Sequence, residues 1–196
     1  MRLTRRSLLA TTLSAFAAPA TAAPRTYALN GENSEVSFRF NLNGITQSGT
    51  LPVRTADIQL DPDDLEASQA RVTADIRRAQ TSLVFITQAL LSEDVLDAEN
   101  HPIVEFVSTD ITLGAKGRLS EGATLTGLLT LRGVTRQIVF EVRLSRPAGS
   151  TPDDLSVLYA RLNGTISRSA FGANGYRDLV ADAVDIDIHA ELRASG

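Results

Sequence analysis

The 196-residue chain has no cysteine, no tryptophan and a single methionine, which is its first residue. Without cysteine there can be no disulfide, thiolate metal site, thiol nucleophile or cysteine-linked lipid anchor, so stability has to come from the core alone. Aromatic residues make up only 5% of the chain, so large side chains that fill an interior are scarce. His101 and His189 are the only imidazoles available for proton transfer near neutral pH. No G-x-S-x-G elbow, H-E-x-x-H pair, phosphate-binding loop or dinucleotide fingerprint occurs. The acidic turn Asp61-Pro62-Asp63-Asp64 lacks the spacing of a calcium loop. This poverty of reactive groups favours binding over catalysis, and no cofactor or metal is expected.

The N-terminus has a different character from the rest. Arg2, Arg5 and Arg6 precede an apolar stretch from Leu8 to Ala18, and Ala20-Thr21-Ala22 reads as a small-residue cleavage site. Residues 1–22 are therefore expected to be a cleavable export signal, with the paired arginines in the style of a twin-arginine leader and cleavage near Ala22. The expected location is the periplasm, with one domain over residues 23–196. Losing Arg2, Arg5 and Arg6 and no acids takes the formal net charge from −4 to −7. An acidic exported domain is a poor partner for nucleic acid. Past the signal no apolar run is long enough to span a bilayer, so contact with a membrane would be transient. The oligomeric state is left open, a homodimer included.

What the chain does have is alternation. Val36, Phe38, Phe40 and Leu42 alternate with polar residues, as do Ile138, Phe140, Val142 and Leu144, and Val184, Ile186, Ile188, Ala190 and Leu192. Period-two patterning places successive side chains on opposite faces of a strand. Strands are expected at about 26–43, 46–60, 68–79, 103–113, 122–132, 135–145, 155–168 and 179–193. Asn43-Gly44 and Gly133 mark tight turns. Leu83, Ile86, Leu90 and Leu91 recur at helical spacing behind Thr81 or Ser82 as a cap, so one helix is expected within 82–97. Eight antiparallel strands with one wet face each close into an all-β barrel, whose interior is either filled by side chains or holds one small ligand.

The inward faces decide between those outcomes. They carry Phe38, Phe40 and Leu42, then Val72, Ala74 and Ile76, then Phe106, Leu129, Phe140 and Val142, then Leu158, Ala160, Leu162 and Ile166. Leu90 on the helix and Phe171 beside the last strands complete the candidate apolar wall. Gly127 and Gly164, with Ala160, are read as leaving room for an apolar ligand. The rival readings are a close-packed core in a stress or partner-binding protein, and an enzyme acting on a small apolar substrate, which would need a polar cluster inside. His189, with Asp185, Asp187 and Glu191, forms a row that could hold a cation, but it reads first as a solvated outer face.

Four ordered motifs then carry a resemblance. They are Ser34-Glu35-Val36-Ser37-Phe38, then Ser92-Glu93-Asp94-Val95-Leu96-Asp97 followed by His101-Pro102-Ile103-Val104-Glu105-Phe106. Next come Gly127-Leu128-Leu129-Thr130-Leu131-Arg132-Gly133-Val134-Thr135-Arg136 and Arg168-Ser169-Ala170-Phe171-Gly172. In these the chain resembles the YceI-like family of periplasmic polyisoprenoid-binding proteins. The resemblance implies an extended lipocalin-like barrel of eight strands with a helix, enclosing a long cavity for an isoprenoid or other long-chain lipid. It also implies Arg168 as a contact for a polar head group or as a structural partner of a carboxylate. The chain departs from the family pattern at Leu42, in place of a histidine, and along Thr87-Gln88-Ala89-Leu90-Leu91-Ser92, where the usual helix is more polar. Val95-Leu96 stands for an aromatic pair, and Ser167 and Ala170 stand for an asparagine and an aspartate. These changes leave the fold intact and thin out the groups that would read a head group.

Overall fold

The computed structural model describes residues 24–62, 64–114 and 122–195. The proposed export signal lies outside the described residues. The polypeptide forms β1 (Arg25–Leu29), β2 (Glu35–Leu42), β3 (Ile45–Thr50), β4 (Val53–Leu60), β5 (Gln69–Asp75) and the two-residue β6 (Gln80–Thr81). After α1 (Val84–Leu91), the single α-helix among the described residues, come β7 (Ile103–Leu113), β8 (Ala123–Leu131), β9 (Val134–Ser145), β10 (Val157–Ser167) and β11 (Val180–Ala194).

Every pairing is antiparallel, and the order β1-β4-β5-β7-β8-β9-β10-β11 closes when β11 meets β1 through Tyr27 opposite Ala194 and Leu29 opposite Leu192. The result is a closed eight-stranded barrel, which removes the exposed sheet edges that invite aggregation. Beyond β1, the free edge of β11 continues onto β2, with Ile188 opposite Val36 and Ile186 opposite Phe38. Strands β3 and β6 extend the sheet from there.

The eight long strands expected from alternation are thus present, but three are interrupted, for local reasons. The first breaks into β1 and β2 at a short 3-10 turn over Gly31–Asn33, where the Asn30 side chain accepts the Glu32 N–H. The second breaks at Leu51-Pro52, because proline has no N–H to give to a ladder. The third ends as Asp75 accepts the Arg77 N–H and nucleates a turn over Ile76–Arg78. The expected hairpins hold: Asn43 and Gly44, like Arg132 and Gly133, both have positive φ, the geometry of two-residue turns that match strand twist. The helix begins two residues later than expected and lacks a side-chain cap; Thr81 instead gives its backbone N–H to the Thr87 hydroxyl.

One end of the barrel carries its own buried cluster. Tyr27, Ile58, Leu158, Ala160 and Leu192 form it, and the Tyr27 hydroxyl donates to the Leu155 carbonyl at 2.8 Å. Burial raises the Tyr27 phenol above its ordinary pKa, so the hydroxyl stays a donor at all physiological pH. A second cluster gathers Ile76, Ala98, Leu125, Leu129, Leu131, Ile138, Phe140 and Phe171.

Candidate functional site

Between these clusters the barrel holds an apolar cavity of about 730 Å³. Its wall is built by inward residues of nearly every strand. Phe38, Phe40 and Leu42 come from β2, Val72 and Ala74 from β5, Ile76 from the turn after it, and Phe106 from β7. Leu129 comes from β8, Phe140 and Val142 from β9, and Ala160, Leu162 and Ile166 from β10, with Leu90 from α1. Along β11 the lining runs from Val180 to Leu192, about 40 Å of strand at ~3.3 Å per residue, so the cavity is long.

Leu158 and Phe171 depart from the expected wall. Leu158 is buried in the cluster around Tyr27, and Phe171, 1% exposed, packs in the second cluster. Phe171 does lie beside the last strands, on a short turn over Ser169–Phe171, and from there it packs into the cluster instead of the cavity wall. Conversely, the lining includes β11 residues Val184, Ile186 and Ile188, whose alternation was visible, and Phe85, Tyr176 and Leu179, which no period marks.

The glycines work in the opposite sense from the one expected. A side chain at Gly127 would collide with the Phe106 ring, and one at Gly164 would come within 2.7 Å of the Phe140 ring. Gly49 faces the Phe38 ring in the same way. Each glycine is therefore a notch into which an aromatic ring from the neighbouring strand lies. The rings stay on the wall, Phe106 edge-on to Phe140 at 5.6 Å and Phe38 stacked with Phe40 at 6.3 Å. The room lies along the axis because the largest inward side chains are held against the sheet.

The polar side chains at the lining are few: Ser68, Gln69, Arg168 and Tyr176. Arg168 is buried and already occupied. Its Nε donates to the Ala181 carbonyl at 3.1 Å, one terminal nitrogen to Ala173 and Gly175 at 2.6 and 2.7 Å, and the other to Val180 at 3.0 Å. These bonds fasten the loop between β10 and β11 onto the barrel end, a structural role in which the partners are backbone carbonyls and not the carboxylate expected. Burial lowers the Arg168 pKa, partly opposed by the nearby Asp182 carboxylate. Asp182 is itself exposed, and the Ser167 and Ser169 hydroxyls with the Ser169 N–H hold it down to about 2. It lies outside the cavity lining and supplies no buried acid for catalysis.

The row on the outer face of β11 also resolves. His189 sits exposed, 3.1 Å from Asp187. Glu191, expected to be wet, is buried under the β1–β2 turn, accepting from Asn30 at 2.8 Å, Asn33 at 2.6 Å and Arg193 at 2.7 Å. Those donors hold its carboxyl down to about 2. Its job is to pin the interruption in the first strand. His101 reaches Asp97 at 3.8 Å beside the Gly133 turn. Among the described residues no three His, Asp or Glu side chains gather in a way that would hold a metal ion, and no helix is long and apolar enough to cross a membrane.

Comparison with known proteins agrees with this architecture. Residues 27–192 match the family model of the YceI-like domain. A "UPF0312 protein" of Pseudomonas savastanoi pv. phaseolicola is 28% identical over 164 residues, covering 82% of this chain and 81% of its own. The crystal structure of Burkholderia cenocepacia BcnA superposes with a TM-score of 0.73 at 21% identity, covering 84% of this chain and 99% of that one. A polyisoprenoid binding domain from Saccharophagus degradans, implicated in plant cell wall breakdown, gives a TM-score of 0.63 at 12% identity, covering 87% and 99%. At these identities the structural likeness is one of fold.

Proposed function

Since this chain belongs to the YceI-like family and its barrel is hollow, we propose that it binds and carries a long-chain isoprenoid or similar apolar lipid, with the tail buried along the barrel axis. The observation that carries this reading is the cavity of about 730 Å³ whose lining is hydrocarbon apart from four polar side chains, the cationic one already committed to backbone carbonyls. Each methylene moved from water into such a wall contributes about 0.8 kcal/mol, so a long tail binds without catalytic groups. A charged head group finds no unpaired cation among the described lining residues and stays at the mouth. The structural neighbour named for polyisoprenoid binding supports the ligand class. The N-terminal arginines and cleavage site support action in the periplasm.

The test is solvent extraction of protein purified from its native compartment, followed by mass spectrometry and by titration of the stripped protein with prenols. A co-purified lipid, or tight binding of an added one, is the expected result. An empty extract together with no prenol binding would refute the carrier.

A further inference from the structure

The cavity does not end at a polar rim. Phe85 at the start of α1, 65% exposed, and Tyr176 and Leu179 in the loop before β11, both half exposed, face solvent and line the cavity at once. The surrounding elements form a ring. The turn after α1 meets that loop through the Gly175 N–H, which donates to the Asp94 carbonyl at 2.8 Å. The loop meets the tip of the β2–β3 hairpin through the Asn43 N–H, which donates to the Leu179 carbonyl at 2.7 Å. Strands β3 and β6 then lead back to α1.

Further apolar side chains point outward from this ring. Ile45 at the hairpin tip is 64% exposed, Val84 is 75% exposed and Leu83, its neighbour in the chain, is exposed as well. Helix α1 contains no ionisable residue at all, and neither does the hairpin tip. The only charges between Tyr176 and Leu179 are Arg177 and Asp178, which cancel. The three segments that carry the exposed apolar side chains have no net charge, while the turn after α1 that joins them adds exposed Glu93 and Asp94, so the apolar surface offers no charge for an anionic or a cationic partner to pair with and its acids disfavour an anionic one. It matches an uncharged hydrocarbon interface.

We propose that this ring docks onto the surface of a lipid bilayer, with α1, the β2–β3 tip and the 176–179 segment dipping into the boundary of the acyl region. A lipid tail then passes from bilayer to barrel past Phe85, Tyr176 and Leu179 without crossing water. The proposal rests on the carrier reading for its purpose, but the docking itself is measured separately.

The experiment uses phosphatidylcholine vesicles and the variant I45S/V84S, whose two changed side chains are exposed and lie outside the cavity lining. Sedimentation measures vesicle binding, transfer of geranylgeraniol from vesicles measures uptake, and displacement of an apolar dye by geranylgeraniol in solution measures the cavity alone. The expected result is that wild type binds vesicles with little dependence on salt. In the variant, binding and transfer fall by about tenfold or more while dye displacement is unchanged. Equal vesicle binding by wild type and variant, or uptake rates independent of vesicle concentration, would overturn the docking surface. So would a wild-type dimer that the variant dissociates, since a second copy would then cover the ring. Vesicle binding without any geranylgeraniol displacement would sustain docking and defeat the carrier reading.

Discussion

The two ends of this barrel use the same strands and the same kinds of residue, yet one carries a buried cluster around Tyr27 in the cavity wall and the other opens to solvent past Phe85, Tyr176 and Leu179. At the first end, Tyr27, Leu158 and Leu192 meet across β1, β10 and β11, and a single phenol hydrogen bond ties the cluster to the Leu155 carbonyl. Towards the other end the first and third long strands have broken off into β2 and β6, and α1 and the 173–180 loop take over as the closure. There the aromatic rings are pressed into glycine notches and the axis is left open. At the first end large side chains pack against one another, and at the second the aromatic rings are folded back against the sheet.

The contrast can be broken by exchanging the character of the two ends. The largest effect is expected from Leu158→Ala, which opens a hole in the buried cluster at a residue outside the cavity lining and should cost about 2–5 kcal/mol in denaturant unfolding while leaving prenol binding intact. Arg168→Met should follow at about 3 kcal/mol, because four carbonyl contacts are orphaned, and Arg168→Lys should not restore it, since an ammonium cannot reach the same fork of acceptors. Calorimetry on both variants checks this. Gly127→Ala should push the Phe106 ring from the wall into the axis and press on the Val107 carbonyl 2.6 Å away, costing about 1–3 kcal/mol and weakening prenol binding as the cavity narrows.

The smallest effect concerns acid. The Glu191 carboxyl is held near 2 in the folded chain, below its ordinary 4.5, so its contribution to stability is complete above about pH 4.5 and disappears as the pH falls towards 2. Glu191→Gln should flatten the fall in denaturation midpoint between those limits. An unchanged slope would remove Glu191 from its role at the β1–β2 break.

Much of this was legible beforehand, for physical reasons. A strand with one wet and one dry face writes a period-two pattern, so the eight long strands, the Asn43-Gly44 and Gly133 turns and most of the cavity wall could be named from residues alone. The interruptions could not, because Asn30 and Glu191 meet only after the barrel closes, 161 positions apart in the chain. Gly127 and Gly164 were visible as small residues, but whether a glycine leaves a hole or receives a ring depends on the neighbouring strand's register. Tyr176 and Leu179 lie in a loop without any repeat, so their place at the mouth emerges only from the fold.

Leu162 lines the hollow part of the barrel, midway along β10, and replacing it with tryptophan asks whether that space is truly free. Unfolding and prenol titration of Leu162→Trp, measured side by side with wild type, should show a melting temperature close to the parent and prenol binding lost. A variant that unfolds readily through overpacking, or one that still binds prenol at full strength, would mean that the ligand space is not where the structure puts it.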